Sequence, residues 1–198
     1  MQAWSRTCRP IRITDRLWVC PSSTEPPVSD AVNIIIDPGL AFGTGTHPTT
    51  RLCLEWLANA DVSGKHVVDY GCGSGILAIA AVKLGAARAW AFDIDPHALT
   101  ATRYNARRND VDDRITVVAS DDAKVERAEI VIANILASVI VSLEARLTAL
   151  VCPQGTILLT GILDSQVEAV CKAFLGKFEF ERHRRQDWSL LVGRPTER

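Results

Sequence analysis

Two hydrophobic periods alternate along this chain. Short apolar runs of strand length are Val67-Val68, Ala89-Trp90-Ala91-Phe92, Ile115-Thr116-Val117-Val118, Glu129-Ile130-Val131-Ile132-Ala133 and Thr156-Ile157-Leu158-Leu159-Thr160. The fourth run ends at Asn134; the fifth is opened by Gly155 and closed by Gly161. Helical patterns separate them: Ile76 to Val82 ended by Gly85, Pro96 to Asn109, Ser138 to Leu150, and Ser165 to Leu175. Asp95-Pro96 is a helix start with proline in the first turn, and a glycine just past the last turn is a helix stop. An amphipathic helix carrying Leu52, Leu54, Trp56 and Leu57 precedes the first of these strands, and Leu17-Trp18-Val19 in the leader is strand-like. At the C-terminus, Phe178 to Arg185 and Trp188 to Val192 flank Gln186-Asp187 and predict a closing antiparallel hairpin. Strands alternating with helices predict an α/β fold: a doubly wound, mostly parallel sheet covered on both faces.

The turn after the first of these strands carries the chemistry. It reads Asp69-Tyr70-Gly71-Cys72-Gly73-Ser74-Gly75, and the next strand ends at Asp93-Ile94-Asp95. Glycines let backbone approach a ligand closely, and a helix start offers free N–H groups. An acid at the end of the second strand suits the two hydroxyls of a ribose, and Asp93 follows Gly71 at close to the roughly twenty-residue spacing of such acids. The dinucleotide fingerprint G-x-G-x-x-G places its third glycine where this chain has Ile76. Glycines at 71, 73 and 75, with Asp69 two residues ahead, instead resemble motif I of the class I S-adenosylmethionine (SAM) methyltransferases. The SAM ammonium favours a carboxylate such as Asp69, and its carboxylate favours turn N–H groups such as those around Gly71 and Gly73.

Composition narrows the remaining classes. A chain of 198 residues with 47% hydrophobic and 23% charged positions is an ordinary globular length and mix. A net charge of −1 provides no global field toward nucleic acid or membrane, so neither is expected as a direct partner. No apolar run reaches membrane-spanning length. Arg6, Arg9, Arg12 and Arg16, with no acid before Asp15, have a transit-peptide flavour; Pro10 and Leu17-Trp18-Val19 favour a folded segment instead. The six cysteines form no C-x-x-C pair and the four histidines are scattered, so no metal site is expected, and free thiols in a reducing cytoplasm are.

Two further places draw attention. Ligands of such sheets bind beyond the carboxyl ends of the strands. Asn134 ends a strand there and begins Asn134-Ile135-Leu136-Ala137, where its carboxamide oxygen can receive an amine N–H. The prolines and aromatic that follow such a residue in base-modifying enzymes are missing. The segment from Asp37 to Thr50 concentrates glycines and threonines before a helix, with Phe42 placed to pack on a flat base or cover a methionine tail. The run Arg182-His183-Arg184-Arg185 reads as a solvated strand end, or as a recognition surface if the chain selects a protein by itself.

Together these segments resemble one family. Asp37 to Thr50, Asp69 to Leu77, Asp93-Ile94-Asp95-Pro96, Asn134-Ile135-Leu136-Ala137 and Gly161-Ile162-Leu163 are similar to PrmA, the methyltransferases of ribosomal protein L11. The leader agrees through Trp4, Pro10, Arg12, Arg16-Leu17-Trp18 and Cys20-Pro21. The resemblance implies a seven-stranded, Rossmann-like class I sheet and a cytoplasmic enzyme that binds SAM around Thr50, Gly71, Asp93 and Asn134. It implies N-methylation of lysine and N-terminal amines of ribosomal protein L11 by direct displacement, without a metal. The organisation expected is a leader and glycine-rich cofactor loop over residues 1–48, packed on a methyltransferase domain over 49–198, with the family's N-terminal substrate-recognition domain absent. Two other classes are weighed: a non-catalytic SAM-binding module, and a nicotinamide-dependent oxidoreductase, which the misplaced third glycine disfavours.

Overall fold

A computed structural model describes residues 9–36, 45–119 and 125–196. The leader forms a sheet of its own. Strands β1 (Ile11–Thr14) and β2 (Leu17–Cys20) make an antiparallel hairpin, and β3 (Val32–Ile35) lies parallel to β2. Its inward residues Ile13, Leu17, Val19, Ile34 and Ile36 are buried in one hydrophobic cluster with Leu52, Leu54 and Leu57 of α1 (Pro48–Asn59) and Ile76 to Val82 of α2 (Ile76–Lys83). The leader therefore shares the core of the main body, and only its middle strand was legible as a strand in the sequence.

The main sheet follows the alternation. After α1 come β4 (His66–Tyr70), α2, β5 (Arg88–Phe92), α3 (Pro96–Arg108), β6 (Ile115–Val118) and β7 (Ala128–Asn134). Then follow α4 (Ala137–Ser142), α5 (Glu144–Leu150), β8 (Val151–Leu163), α6 (Val167–Ala173), β9 (Phe178–Arg185) and β10 (Trp188–Pro195). The seven strands lie in the order β6-β5-β4-β7-β8-β10-β9. Those from β4 to β8 pair in parallel, and β10 runs antiparallel to β8 and β9. The chain order reverses direction between β4 and β7, which puts a ligand crevice above β4. Central strands read as continuous apolar runs because both faces are covered: Val67, Val68, Val131, Ile132 and Ala133 are fully buried.

Two elements differ from the pattern reading. The single helix predicted over Ser138 to Leu150 divides at Leu143, where the backbone leaves helical values. Its halves serve different neighbours: α4 packs on β8 and α6, and α5 on β7. Strand β8 does not close at Gly161 but passes through it to Leu163. Gly161 has φ +84°, and β8 carries an extra residue there relative to β10, whose Ser189 and Leu191 pair with Ile162 and Leu159. A glycine terminating a strand and a glycine making a bulge look alike in sequence.

Candidate active site

The glycine turn sits on the crevice because helix α3 holds it there. Gly71 and Cys72 donate their N–H groups to the Phe92 carbonyl, both at 2.8 Å, which ties the turn to the end of β5. Thr102 Oγ1 donates to the Gly73 carbonyl at 3.0 Å, and Asn105 Nδ2 to the Ser74 carbonyl at 2.9 Å. Gly71 adopts φ +81°, and a Cβ on it would fall 2.3 Å from Ile135 Cγ2. A side chain there meets both backbone strain and a clash. Thr102 and Asn105 were missed in the sequence. The signal was the polar stripe Thr102, Asn105 and Asn109 at helical spacing, which turns out to be buried.

A cleft of about 500 Å³ opens above this turn. Of the residues singled out by sequence, Thr50, Gly71, Gly73, Asp93 and Asn134 all line it. Apolar walls come from Phe92, Ile94, Ala119, Ile135 and Val139. Tyr70 and Phe92 stack beneath, with ring centroids 5.4 Å apart. Asp93 Oδ2 accepts the Gly73 N–H at 2.9 Å and Oδ1 the Asp95 N–H at 3.0 Å. Each carboxylate oxygen thus keeps acceptor capacity for a further donor. Asn134 Nδ2 donates to Thr50 Oγ1 at 3.4 Å, bringing together residues from α1 and β7 that are 84 positions apart. His47, the N-cap of α1, meets Trp188 of β10 edge-on, with centroids 4.9 Å apart. Neither partner of that pair was singled out for the site.

Asp69 stands apart from the others. It is 1% exposed, does not line the cleft, and its Oδ2 accepts the Ala78 N–H at 3.1 Å inside the start of α2. Its Oδ1 is buried without a hydrogen-bond partner. Burial drives this carboxyl up from 3.8 to about 7, against the pull of the Ala78 N–H and with help from the negative charge of Asp93. Phe42 lies outside the described residues.

The remaining candidates are accounted for by pairing. The basic run of β9 is partly paired: Arg182 and Arg184 share the carboxylate of Asp164 at 2.5 Å, and Arg185 contacts Glu55, which also meets Arg51, at 2.6 Å. His183 lies 3.2 Å from Glu181. Cys72 Sγ is 3.3 Å from Thr102 Oγ1, and burial pushes its thiol well above the ordinary range, so it fills space beside the turn. The cysteines among the described residues are free, and no group of three or more potential metal ligands occurs among those residues. No helix among them is long and apolar enough to cross a membrane.

Comparison with known proteins identifies the family. A family model described as ribosomal protein L11 methyltransferase (PrmA) matches residues 1–196. The chain is similar to the ribosomal protein L11 methyltransferase of Hahella chejuensis, with 50% identity over 192 residues, 96% of this chain and 66% of the relative. Similarity to the protein of that name from Escherichia coli (strain SMS-3-5 / SECEC) is 48% over 193 residues, with the same coverage. The chain thus spans just under two thirds of the length of these relatives. Among solved structures, the ribosomal protein L11 methylase of Lactobacillus delbrueckii subsp. bulgaricus superimposes with a TM-score of 0.88 at 31% identity, covering 96% of this chain and 100% of that one.

Proposed function

This chain belongs to the PrmA family, the ribosomal protein L11 methyltransferases, and on that footing we propose that it transfers methyl groups from SAM to lysine and N-terminal amines of ribosomal protein L11 in the cytoplasm. The observation that carries the cofactor assignment is Asp93. Its two oxygens are fixed by the N–H groups of Gly73 and Asp95 and face a cleft with apolar walls, the arrangement a ribose and an attached base require. A volume of about 500 Å³ lies within the range of small-molecule sites. Asp69, buried behind the glycine turn and off the cleft, would act on the cofactor's ammonium through space only. Gly71, Gly73 and Thr50 would hold the methionine portion. Ile76, buried in the first turn of α2 where the dinucleotide fingerprint needs glycine, disfavours a pyrophosphate cofactor.

When bound, SAM supplies a methyl group on a positively charged sulfur. The protein's part is placement. With Nδ2 engaged by Thr50, the Asn134 carboxamide oxygen is the end left to accept an N–H from an incoming amine. Holding the neutral amine in line with the methyl supplies most of the acceleration, because near-attack geometry removes the entropy of bringing two reactants together. The amine must arrive or become unprotonated, and a positive sulfur nearby lowers its pKa.

Calorimetric titration with SAM tests the reading. Asp93→Ala is expected to weaken binding by about 1.5–3 kcal/mol, the range for hydrogen bonds to a charged group. Equal affinities of the two proteins would overturn the ribose assignment. A chain that binds SAM but methylates no amine would favour a non-catalytic module.

A further inference from the structure

Two leucines stand where local chemistry argues against them. Leu136 is the N-cap of α4, makes no capping bond and is 68% exposed. Leu163 holds the same position before the 3₁₀ turn Asp164–Gln166; its N–H is accepted by Gln166 Oε1 at 3.0 Å and its side chain is 36% exposed. N-caps favour Ser, Thr, Asp or Asn, whose oxygens accept first-turn N–H groups. The exposed part of each leucine gains nothing from burial, and neither side chain belongs to a core cluster. Local rules broken without a gain in stability point toward function.

Their placement says which function. Leu136 follows Asn134 by two residues at the exit of β7, and Leu163 ends β8, the neighbouring strand. The two exits are joined. The Ile135 N–H donates to the Thr160 carbonyl at 3.2 Å, and the Ile135 carbonyl lies so close to Gly161 that a Cβ there would be 2.1 Å away. Leu163 pairs with Trp188, whose ring meets His47 at the head of the helix that carries Thr50. Both leucines therefore leave the sheet at the end where the cleft opens, on the Asn134 side. Val139, partly exposed and lining the cleft, extends the same apolar surface inward. Arg182 and Arg184 share the one carboxylate of Asp164, so this rim sets apolar surface beside a single net positive charge.

We infer that Leu136 and Leu163 form an apolar shoulder that holds the polypeptide flanking the acceptor amine, and so select protein segments with an apolar residue beside that amine. This rests on the proposed function: an amine that reaches Asn134 from solvent must bring its flanking chain across these strand exits. Burying a leucine on each side of the contact replaces two water-exposed surfaces, a favourable exchange wherever the partner side chain is apolar.

The test uses the full chain loaded with S-adenosylhomocysteine and fluorescent lysine peptides whose neighbours are either leucine or serine. Anisotropy is expected to show the wild type preferring the leucine-flanked peptide by about tenfold. Leu136→Ser and Leu163→Ser should each erase most of that preference, leave S-adenosylhomocysteine affinity unchanged, and leave the thermal midpoint unchanged or raised because serine is the better cap. A wild type without preference, or variants that keep it, would overturn the inference. So would concentration-dependent dimerisation of the wild type that the variants abolish, since the face would then belong to a second copy. The binding readout needs no methyl transfer. Absence of transfer with the preference intact would therefore count against the proposed activity and not against the shoulder.

Discussion

Replacing Asp69 by Asn is expected to stabilise the free protein at alkaline pH while weakening its hold on SAM. The carboxyl is fully buried, one oxygen has the Ala78 N–H and the other has nothing. In the unfolded chain it loses its proton near 3.8; in the folded chain it holds it to about 7. Across that window the folded state binds the extra proton, so stability falls as pH rises and the full cost is present above about pH 7. A difference of about three pH units corresponds to about 4 kcal/mol. Asn removes the charge but buries an NH₂ group whose missing partner costs about 1–3 kcal/mol. The net at about pH 8.5 is a gain of about 1–3 kcal/mol, shrinking to a loss near pH 4. Cofactor binding runs the other way: the carboxyl lies behind the cleft wall and acts on the ammonium through space only, so SAM affinity should fall by less than a direct charged contact would give, about tenfold at most. Urea unfolding of both proteins at several pH values reads the first effect, and calorimetry the second. If the stability difference between the proteins does not change with pH, the buried-charge argument is wrong. A loss of SAM affinity of roughly a hundredfold would contradict the placement of this carboxyl behind the wall.

Three other substitutions separate the parts of the site. Gly71→Ala should cost about 2–4 kcal/mol by urea unfolding, from left-handed backbone strain plus displacement of Ile135; adding Ile135→Ala should recover the clash and leave the strain. Asn134→Ala should lower turnover at saturating SAM, because an interaction made in the transition state is not restored by saturation; a variant with normal maximal rate and only a raised SAM requirement would reduce Asn134 to a cofactor contact. Asn109→Ala should cost about 2–4 kcal/mol in the same unfolding assay, since its carboxamide receives the Ile35 N–H at 2.8 Å and donates to the Ile35 carbonyl at 2.7 Å, docking β3 onto α3. An Asn109→Ala protein as stable as the wild type would show that the leader is held by its apolar face alone.

The parallel sheet was legible because both of its faces are covered, which writes central strands as uninterrupted apolar runs such as Ile130 to Ala133. The glycine turn and the place of Asp93 on the cleft were legible because a glycine-rich turn and an acid at a strand's carboxyl end mark the crevice of such a sheet. The leader sheet was not: its strands have four residues each, and β3 is held by Asn109 from 74 positions away. Contacts that long leave no local period. The division at Leu143 was hidden for a similar reason, since α4 and α5 are set by different neighbours. Asp69 shows the opposite limit. Its position in the motif was readable, but sequence gave no sign that the carboxyl would lie behind the cleft wall, bonded to Ala78.

The most direct measurement of the central claim is mass spectrometry of ribosomal protein L11 after incubation with this chain and SAM, with the Asn134→Ala protein in parallel. Mass increments of whole methyl groups, localised to lysine or N-terminal amines and strongly reduced with Asn134→Ala, are the predicted result. An unmodified L11 after incubation with a chain shown by calorimetry to be loaded with SAM, or methylation that Asn134→Ala leaves untouched, would contradict it.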